Sequence, residues 1–453
     1  MRDSKDASGT PGAEWLYDRL TADDEVRVCK DISESACREQ PGNFLRHLVA
    51  AVGNKLGDEL ANARLVLPWA LGAVAAPTWA IGLLVPIREA GALLPQVFFG
   101  AWVRGLPQRK RAWALGGLAQ ALAALAMAGV LFLPVDGLTA AWLFLAALAV
   151  QSSSRGLSSI SSKDVLGKTI AKSRRGTVQG WAGSAASAVG LVVGGGLSWL
   201  GDAAEGSGSA RPERHVLAAL LGAAAFGWLV NAVAAAVIRE DAGDTEGGES
   251  AWQTMREGIR LLRDDPAFRA FNAARLLLLS SALALPYITV LARERSGASL
   301  GALGFLVIAS GVGGVVSSPF WGRLADRSSP AVMAIGAAGS ATCCLLAAAI
   351  ARFAGDGPAG GAWTYAVLYA ALVVSHNGIR LGRKTYVVDL ADTEQRALYV
   401  ALSNTLTGLV FLPAGALAGV LASLLGSEGL LVALAAVAAL GAVACRRLPS
   451  VSE

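Results

Sequence analysis

Residues 78–104 read TWAIGLLVPIREAGALLPQVFFGAWVR. Leu, Val, Ile, Ala and Phe dominate, and the run exceeds the ~20 residues an apolar helix needs to cross a bilayer. It does not alternate apolar and polar residues as a strand of a membrane barrel does. Yet Arg88 and Glu89 stand side by side near its middle. A charge at that depth costs at least ~2.5–3.5 kcal/mol on insertion scales, so it is expected to face a bundle interior, a water-filled cavity or an opposite charge. The stretch therefore implies membrane-spanning helices with polar chemistry buried among them.

The same texture fills the chain. Of 453 residues, 54% are hydrophobic and only 16% charged, with a mean hydropathy of +0.50. Soluble proteins carry roughly a quarter charged residues. The apolar runs predict an all-α polytopic membrane protein with spans near 44–74, 78–104, 112–133, 138–161, 176–200, 214–238, 267–292, 299–325, 330–353, 362–384, 397–422 and 427–446. An alternative takes Ala63 to Leu84 as one helix interrupted by Pro68 and Pro77. Two helices are preferred because residues 44–104 are long enough for both.

Loop charge sets an orientation. Lys and Arg collect on the cytoplasmic side of membrane proteins. Here they collect in RGLPQRKR after span 2, at Lys163, Lys168, Lys172, Arg174 and Arg175 after span 4, and at Arg239, Arg256, Arg260 and Arg263 after span 6. Both termini are then expected inside, in the cytoplasmic (inner) membrane. This basic excess also explains the net charge of +5 and the pI near 9.0, and no nucleic-acid partner is called for. Residues 1–43 hold no apolar run ahead of span 1 and read as a cytoplasmic tail rather than a signal peptide. Its Cys29 and Cys37 are too far apart for a tight metal-ligand pair and read as reduced thiols. Cys343, Cys344 and Cys445 read as apolar filler in membrane helices.

Residues 239–266 form a polar, Gly-rich connection whose second half, AWQTMREGIRLLRDDP, has the spacing of an amphipathic helix. It separates a bundle at 44–238 from one at 267–447, with a short tail at 448–453. The halves repeat weakly. A shift of 222 lays residues 91–104 on 313–326, matching Gly91 to Gly313, Phe98 to Phe320 and Gly100 to Gly322, with Arg104 falling on Asp326. A shift of 221 matches Lys163 to Lys384, Arg175 to Arg396 and Gly194 to Gly415.

With GRLADRSSP at residues 322–330, the chain resembles the major facilitator superfamily over about residues 44–447. That stretch is similar to the family's signature between the second and third spans of a half: Gly, three residues, Asp, a base, then a turn. The first-half copy keeps Gly100 and the basic run but has Arg104 where the family commonly has Asp. The resemblance implies twelve spans in two six-helix bundles that rock about a central site. It also implies a cytoplasmic gate at Gly100, Arg104, Gly322, Asp326 and Arg327.

The buried charges are the candidate cavity. Counting 1.5 Å per residue puts Arg88 near the midplane, with Asp58 and Glu59 of NKLGDELANARL at similar depth. Adjacent helical residues point ~100° apart, so Arg88 and Glu89 look to different partners. Asp58 or Glu59 is expected to pair with Arg88. The same residues also fit a purely structural ion-pair lock. Arg155, Arg275 and His376 complete the candidate set. Histidine titrates near neutral pH, though His376 equally suits a satisfied packing role. Arg380, Arg383 and Lys384 are expected to snorkel to the interface.

Enzyme chemistry finds no support. Gly167-Lys168-Thr169 lacks the earlier glycine and strand of a phosphate loop. The three histidines are far apart, and no HExxH or GxSxG occurs. No cofactor or metal is expected. The expected function is a secondary transporter, with or without proton coupling, moving a small-molecule substrate as a monomer among membrane lipids. The alternative is a receptor or scaffold that keeps the fold without transporting.

Overall fold

Inside a bilayer, backbone N–H and C=O groups must be satisfied within the segment, and long apolar runs do this as helices. The computed structural model describes residues 17, 32–207, 213–243, 256, 260–325, 327–354, 361–391 and 395–449, and all its regular elements among these are helical. In chain order they are α1 (Glu34–Leu60), α2 (Val66–Ala73), α3 (Thr78–Leu93), α4 (Gln96–Arg104), α5 (Lys110–Val130), α6 (Gly137–Thr169) and α7 (Lys172–Ser207). There follow α8 (Glu213–Ala236), α9 (Pro266–Leu277), α10 (Leu279–Arg295), α11 (Leu300–Ala325), α12 (Ser329–Phe353), α13 (Ala362–Leu390) and α14 (Arg396–Arg446).

Among the described residues, 9 helices are long and apolar enough to cross a membrane. One of them, Leu398–Arg446, runs for 49 residues and contains Gly426 at φ 74°, a left-handed bend between two spans. Counting that rod twice and adding the more polar α1 and α13 is consistent with twelve spans. The protein is thus a multi-pass membrane protein. Exposed Leu122, Trp142, Val192, Phe226 and Leu440 dress its outside, as a lipid-facing surface requires.

Several element boundaries differ from expectation. The helix of span 1 starts at Glu34, capped by Ser33, so the last ten residues assigned to the tail are helical. Polar residues there pack on the chain after span 6: Asn43 Nδ2 donates to Arg239 O at 2.9 Å. Span 1 then breaks at residues 61–65 before α2, and span 2 breaks at Pro95 between α3 and α4. Span 4 continues to Thr169 because its polar end is held by neighbours rather than by lipid: Thr169 Oγ1 lies 2.8 Å from His47 Nε2. Of the amphipathic helix expected at residues 251–266, residues 260–264 are helical, and 251–255 and 257–259 lie outside the described residues.

Two seams join the first six spans to the last six. In one, α3 meets α14 so closely that a Cβ on Gly82 would sit 2.6 Å from Gly415 O. In the other, α7 meets α11, and a Cβ on Gly304 would sit 2.6 Å from Gly194 O. Small residues permit this approach where lipid supplies no hydrophobic drive between helices. The internal repeat appears in these contacts. Gly194 and Gly415, matched by the shift of 221, each press on the other half. Gly91 and Gly313, matched by the shift of 222, each press on a partner within their own half, Ser152 and Ala370 respectively.

Candidate functional site

The buried charges meet where α1, α3, α5 and α6 converge. Asp58 on α1 shares its two oxygens: Arg88 Nη2 donates to Oδ1 at 2.6 Å and Arg155 Nη2 to Oδ2 at 3.0 Å. Arg88 uses its other amino group on Gln151 Oε1 at 2.9 Å. Gln151 Nε2 reaches Gln120 Oε1 at 3.5 Å, and Gln120 Nε2 donates to Ser158 Oγ at 3.1 Å. Gln151, Arg155 and Ser158 share one face of α6 by the helical period. Every polar group thus gains partners at a depth where an unpaired one is costly.

Arg88 and Glu89 do diverge. Arg88 is buried, with side-chain exposure of 8%. Glu89 turns away and meets Arg64 Nη2 at 3.5 Å, with 37% of its side chain exposed. Arg64 sits in the irregular break between α1 and α2. Of the two carboxylates offered to Arg88, Asp58 takes the pair.

Glu59 faces a second region. A cavity of about 250 Å³ between the two helix sets is lined by Glu59, Asn62 and Arg64 from one side and Tyr369, Asn377 and Arg380 from the other. A larger one of about 480 Å³, bounded by Lys55, Glu89, Arg155, Lys163 and Gln179, lies within the first six spans. Arg380 therefore lines the central cavity rather than reaching for the interface. Depth counted from a helix end fails here because the cavity follows α13 inward. The fields of Arg64, Arg155, Arg380 and Arg383 converge on Glu89.

Arg275 and His376 line neither cavity. Arg275 is buried and donates to Asn404 Oδ1 at 2.8 Å. His376 Nδ1 lies 2.9 Å from Ser281 Oγ. Of the gate candidates, Gly100 and Arg104 lie on α4, with Arg104 exposed, and Gly322 lies in the last turn of α11. Arg327 is exposed in the turn before α12, and Asp326 lies outside the described residues.

Where Glu213 and Arg293 lie, the halves are bolted together. Arg293 on α10 meets Glu213 on α8 at 3.0 Å and lies 5.9 Å from the Trp69 ring. Thr289 Oγ1 donates to Arg64 O at 2.8 Å.

Two further sequence features have a structural explanation. Lys168 of the phosphate-loop near miss meets Glu240 at 3.1 Å, and the Glu240 side chain is fully buried. The Glu240 carboxylate also accepts from Arg109 N and Lys110 N, so it caps the start of α5, where a negative charge suits the helix dipole. Cys37 is disulfide-bonded, which corrects the reduced-thiol reading. Its spacing from Cys29 argued against a metal clip and carried no information on oxidation. Cys343, Cys344 and Cys445 are free and buried.

Sequence reasoning passed over Gln120, Gln151 and Tyr369. The signal for the glutamines was present: each interrupts an Ala- and Leu-rich membrane run, where an uncharged polar group also needs a partner.

The Major Facilitator Superfamily family model matches residues 273–452, the half that carries GRLADRSSP. The uncharacterised protein Rv2209 of Mycobacterium tuberculosis is 25% identical over 422 residues, covering 90% of this chain and 78% of that protein. The uncharacterised protein Mb2232 of Mycobacterium bovis matches with the same figures. Among solved structures, a mutant of the nucleoside transporter NupG superimposes with a TM-score of 0.69 at 12% identity, covering 90% of this chain and 99% of its own. A D-xylose-proton symporter gives 0.65 at 14% identity, covering 90% and 98%. A POT family transporter in complex with 5-aminolevulinic acid gives 0.66 at 11% identity, covering 88% and 94%. At these identities the structural likeness speaks for the fold.

Proposed function

We propose that this chain, an integral membrane protein of the major facilitator fold, is a secondary transporter that moves a small solute by alternating access. The observation that carries the reading is a cavity lined by ionisable side chains from both helix sets, with contacts between the sets closing one end of it. Residues 44–238 and 267–447 act as the two moving bundles, and the connection 239–266 holds them in register on the cytoplasmic side. The basic loops face the cytoplasm, both tails lie inside, and the bolted end carrying Glu213 and Arg293 faces out.

In this scheme the central polar cluster comprises Asp58, Glu59, Arg88, Glu89 and Arg155, and Arg275 and His376 support it from behind. Asp58 is committed to two arginines. Glu59 has no ion pair among the described residues and lines the central cavity, so it is the carboxylate best placed to take and release a coupling proton. Gly100, Arg104, Gly322, Asp326 and Arg327 form the cytoplasmic gate. Opening outward requires Glu213 and Arg293 to part and both glycine seams to separate.

The test joins structure to flux. Cysteines replacing Glu213 and Arg293, in a cysteine-free protein reconstituted in liposomes, should form a cross-link that stops solute flux until a reductant is added. Undiminished flux through fully cross-linked protein refutes alternating access by this route. Absence of flux for every class of solute offered to folded protein favours a receptor or scaffold.

A further inference from the structure

Around the central cavity the charges do not balance. Arg64 and Arg380 line it, and the charges of Arg64, Arg380 and Arg383 act on one another. Arg88 and Arg155 stand behind, sharing Asp58. Against these five guanidinium groups stand three carboxylates, Asp58, Glu59 and Glu89. Asp58 is consumed by its two arginines, and Glu89 faces Arg64 at 3.5 Å. Arg380 and Arg383 have no hydrogen bond or ion pair among the described residues. They stand three residues apart on α13, on neighbouring positions of one helix face. Arg380 is exposed to the cavity and Arg383 is half-buried beside it, and two like charges this close, with a third nearby, favour an anion that joins them.

We propose that the central cavity takes a small organic anion, whose carboxylate or phosphate oxygens dock on Arg380, with Arg64 and Arg383 completing the positive field. This rests on the transporter reading and names its cargo. The guanidinium fork matches planar carboxylate and phosphate oxygens two bonds at a time, which a spherical ion does not exploit. A cavity of about 250 Å³ also has room for more than a halide. Asn62 and Asn377 supply neutral hydrogen-bonding groups on its walls, and Tyr369 and Val373 supply apolar surface for a carbon skeleton. Protonation of Glu59 would make the cavity more positive still, so proton and anion would travel as charge-compensating partners.

The full-length protein, purified and reconstituted, is offered lactate, succinate and glycerol 3-phosphate alongside D-glucose, uridine and spermidine. Binding is read by thermal shift and movement by uptake into liposomes. At least one of the anions should bind and move. Arg380→Gln should weaken that binding about ten- to hundredfold, the loss of charge-assisted hydrogen bonds, and Arg380→Lys should recover part of it. Arg383→Gln should weaken it less and serves as the second reading where Arg380→Gln fails to fold. An anion that binds without moving supports the site and counts against transport. Uptake of a neutral or cationic solute with no response to any of the three anions overturns the anion assignment and leaves the transporter standing. A response to chloride alone, with the organic anions adding nothing, also overturns it. No binding and no uptake in any class overturns both.

Discussion

Among the described residues Asp58 is the one carboxylate that holds two arginines, and its removal should be the most damaging single change in the cluster. In Asp58→Asn the fold stays isosteric, but Arg88 and Arg155 are left facing each other without a counter-charge. At 2.6 Å and 3.0 Å each contact carries an attraction of about 5–6 kcal/mol at an effective dielectric of about 20, before desolvation is subtracted. Measured losses on orphaning a buried charge are smaller, about 3–5 kcal/mol, and that is the expected cost. Arg88→Ala leaves Asp58 still paired with Arg155 and strands one carboxylate oxygen and Gln151 Oε1, so about 1–3 kcal/mol is expected. Arg155 is 32% exposed at its side chain, and Arg155→Ala should cost about 1 kcal/mol or less. The order of damage is therefore Asp58, Arg88, Arg155. Denaturant unfolding in micelles, followed by tryptophan fluorescence, measures it. The double change Asp58→Asn with Arg88→Gln should be more stable than Asp58→Asn alone, because it withdraws a stranded charge. If Asp58→Asn is no less stable than Arg155→Ala, or the double mutant shows simple additivity, the shared-carboxylate argument fails.

Four other outcomes follow from the same structure. Gly82→Val should fold but lose flux, because its Cβ would lie 2.6 Å from Gly415 O and the seam closes only if the helices separate by about 1 Å towards ordinary contact; wild-type flux removes the seam from the mechanism. Glu59→Gln should uncouple solute movement from a pH gradient while leaving exchange down a solute gradient, and retention of pH-driven accumulation assigns the proton elsewhere. Asp326→Asn should lower flux more than it lowers yield of folded protein; unimpaired cycling takes Asp326 out of the gate. In a cysteine-free background, single cysteines at 247 and 450 should resist an impermeant thiol reagent in intact cells and one at 207 should react, the reverse pattern inverting the topology.

The membrane architecture is readable in the sequence because lipid imposes one dominant rule, an apolar run long enough to span. Where another partner replaces lipid, the rule loses its grip. Residues 34–43 are polar and still helical because they pack on the chain after span 6. The stretch LLGSEGLL at 424–431 looks like a loop, yet Gly426 alone turns the chain while both flanks stay helical. In the cluster, the depth count brings Asp58 and Arg88 together, since both lie well inside long helices. It misplaces Arg380, because distance from a helix end says nothing about a cavity running beside it. Choosing Asp58 over Glu59 as the partner of Arg88 requires the rotation of α1, which one residue of helical phase decides and composition does not record.

The two glycine seams set a rule for how this chain can diverge. Gly82 faces the backbone of Gly415 and Gly419, and Gly194 faces the backbone of Gly304 beside the Ile308 side chain. Backbone does not shrink to accommodate a neighbour, so trimming the Pro86, Ser198 or Ile308 side chains that share these contacts does not by itself make room for a methyl group gained on the facing helix. Drift at these sites is therefore not a trade between paired side chains, as in an ordinary core, but a change in the spacing of two whole bundles. Across descendants of this sequence, the lipid-facing surface is free to exchange Leu for Val or Phe. The seams are expected to stay small at both faces together or to be abandoned together, with a different stroke between the bundles as the result.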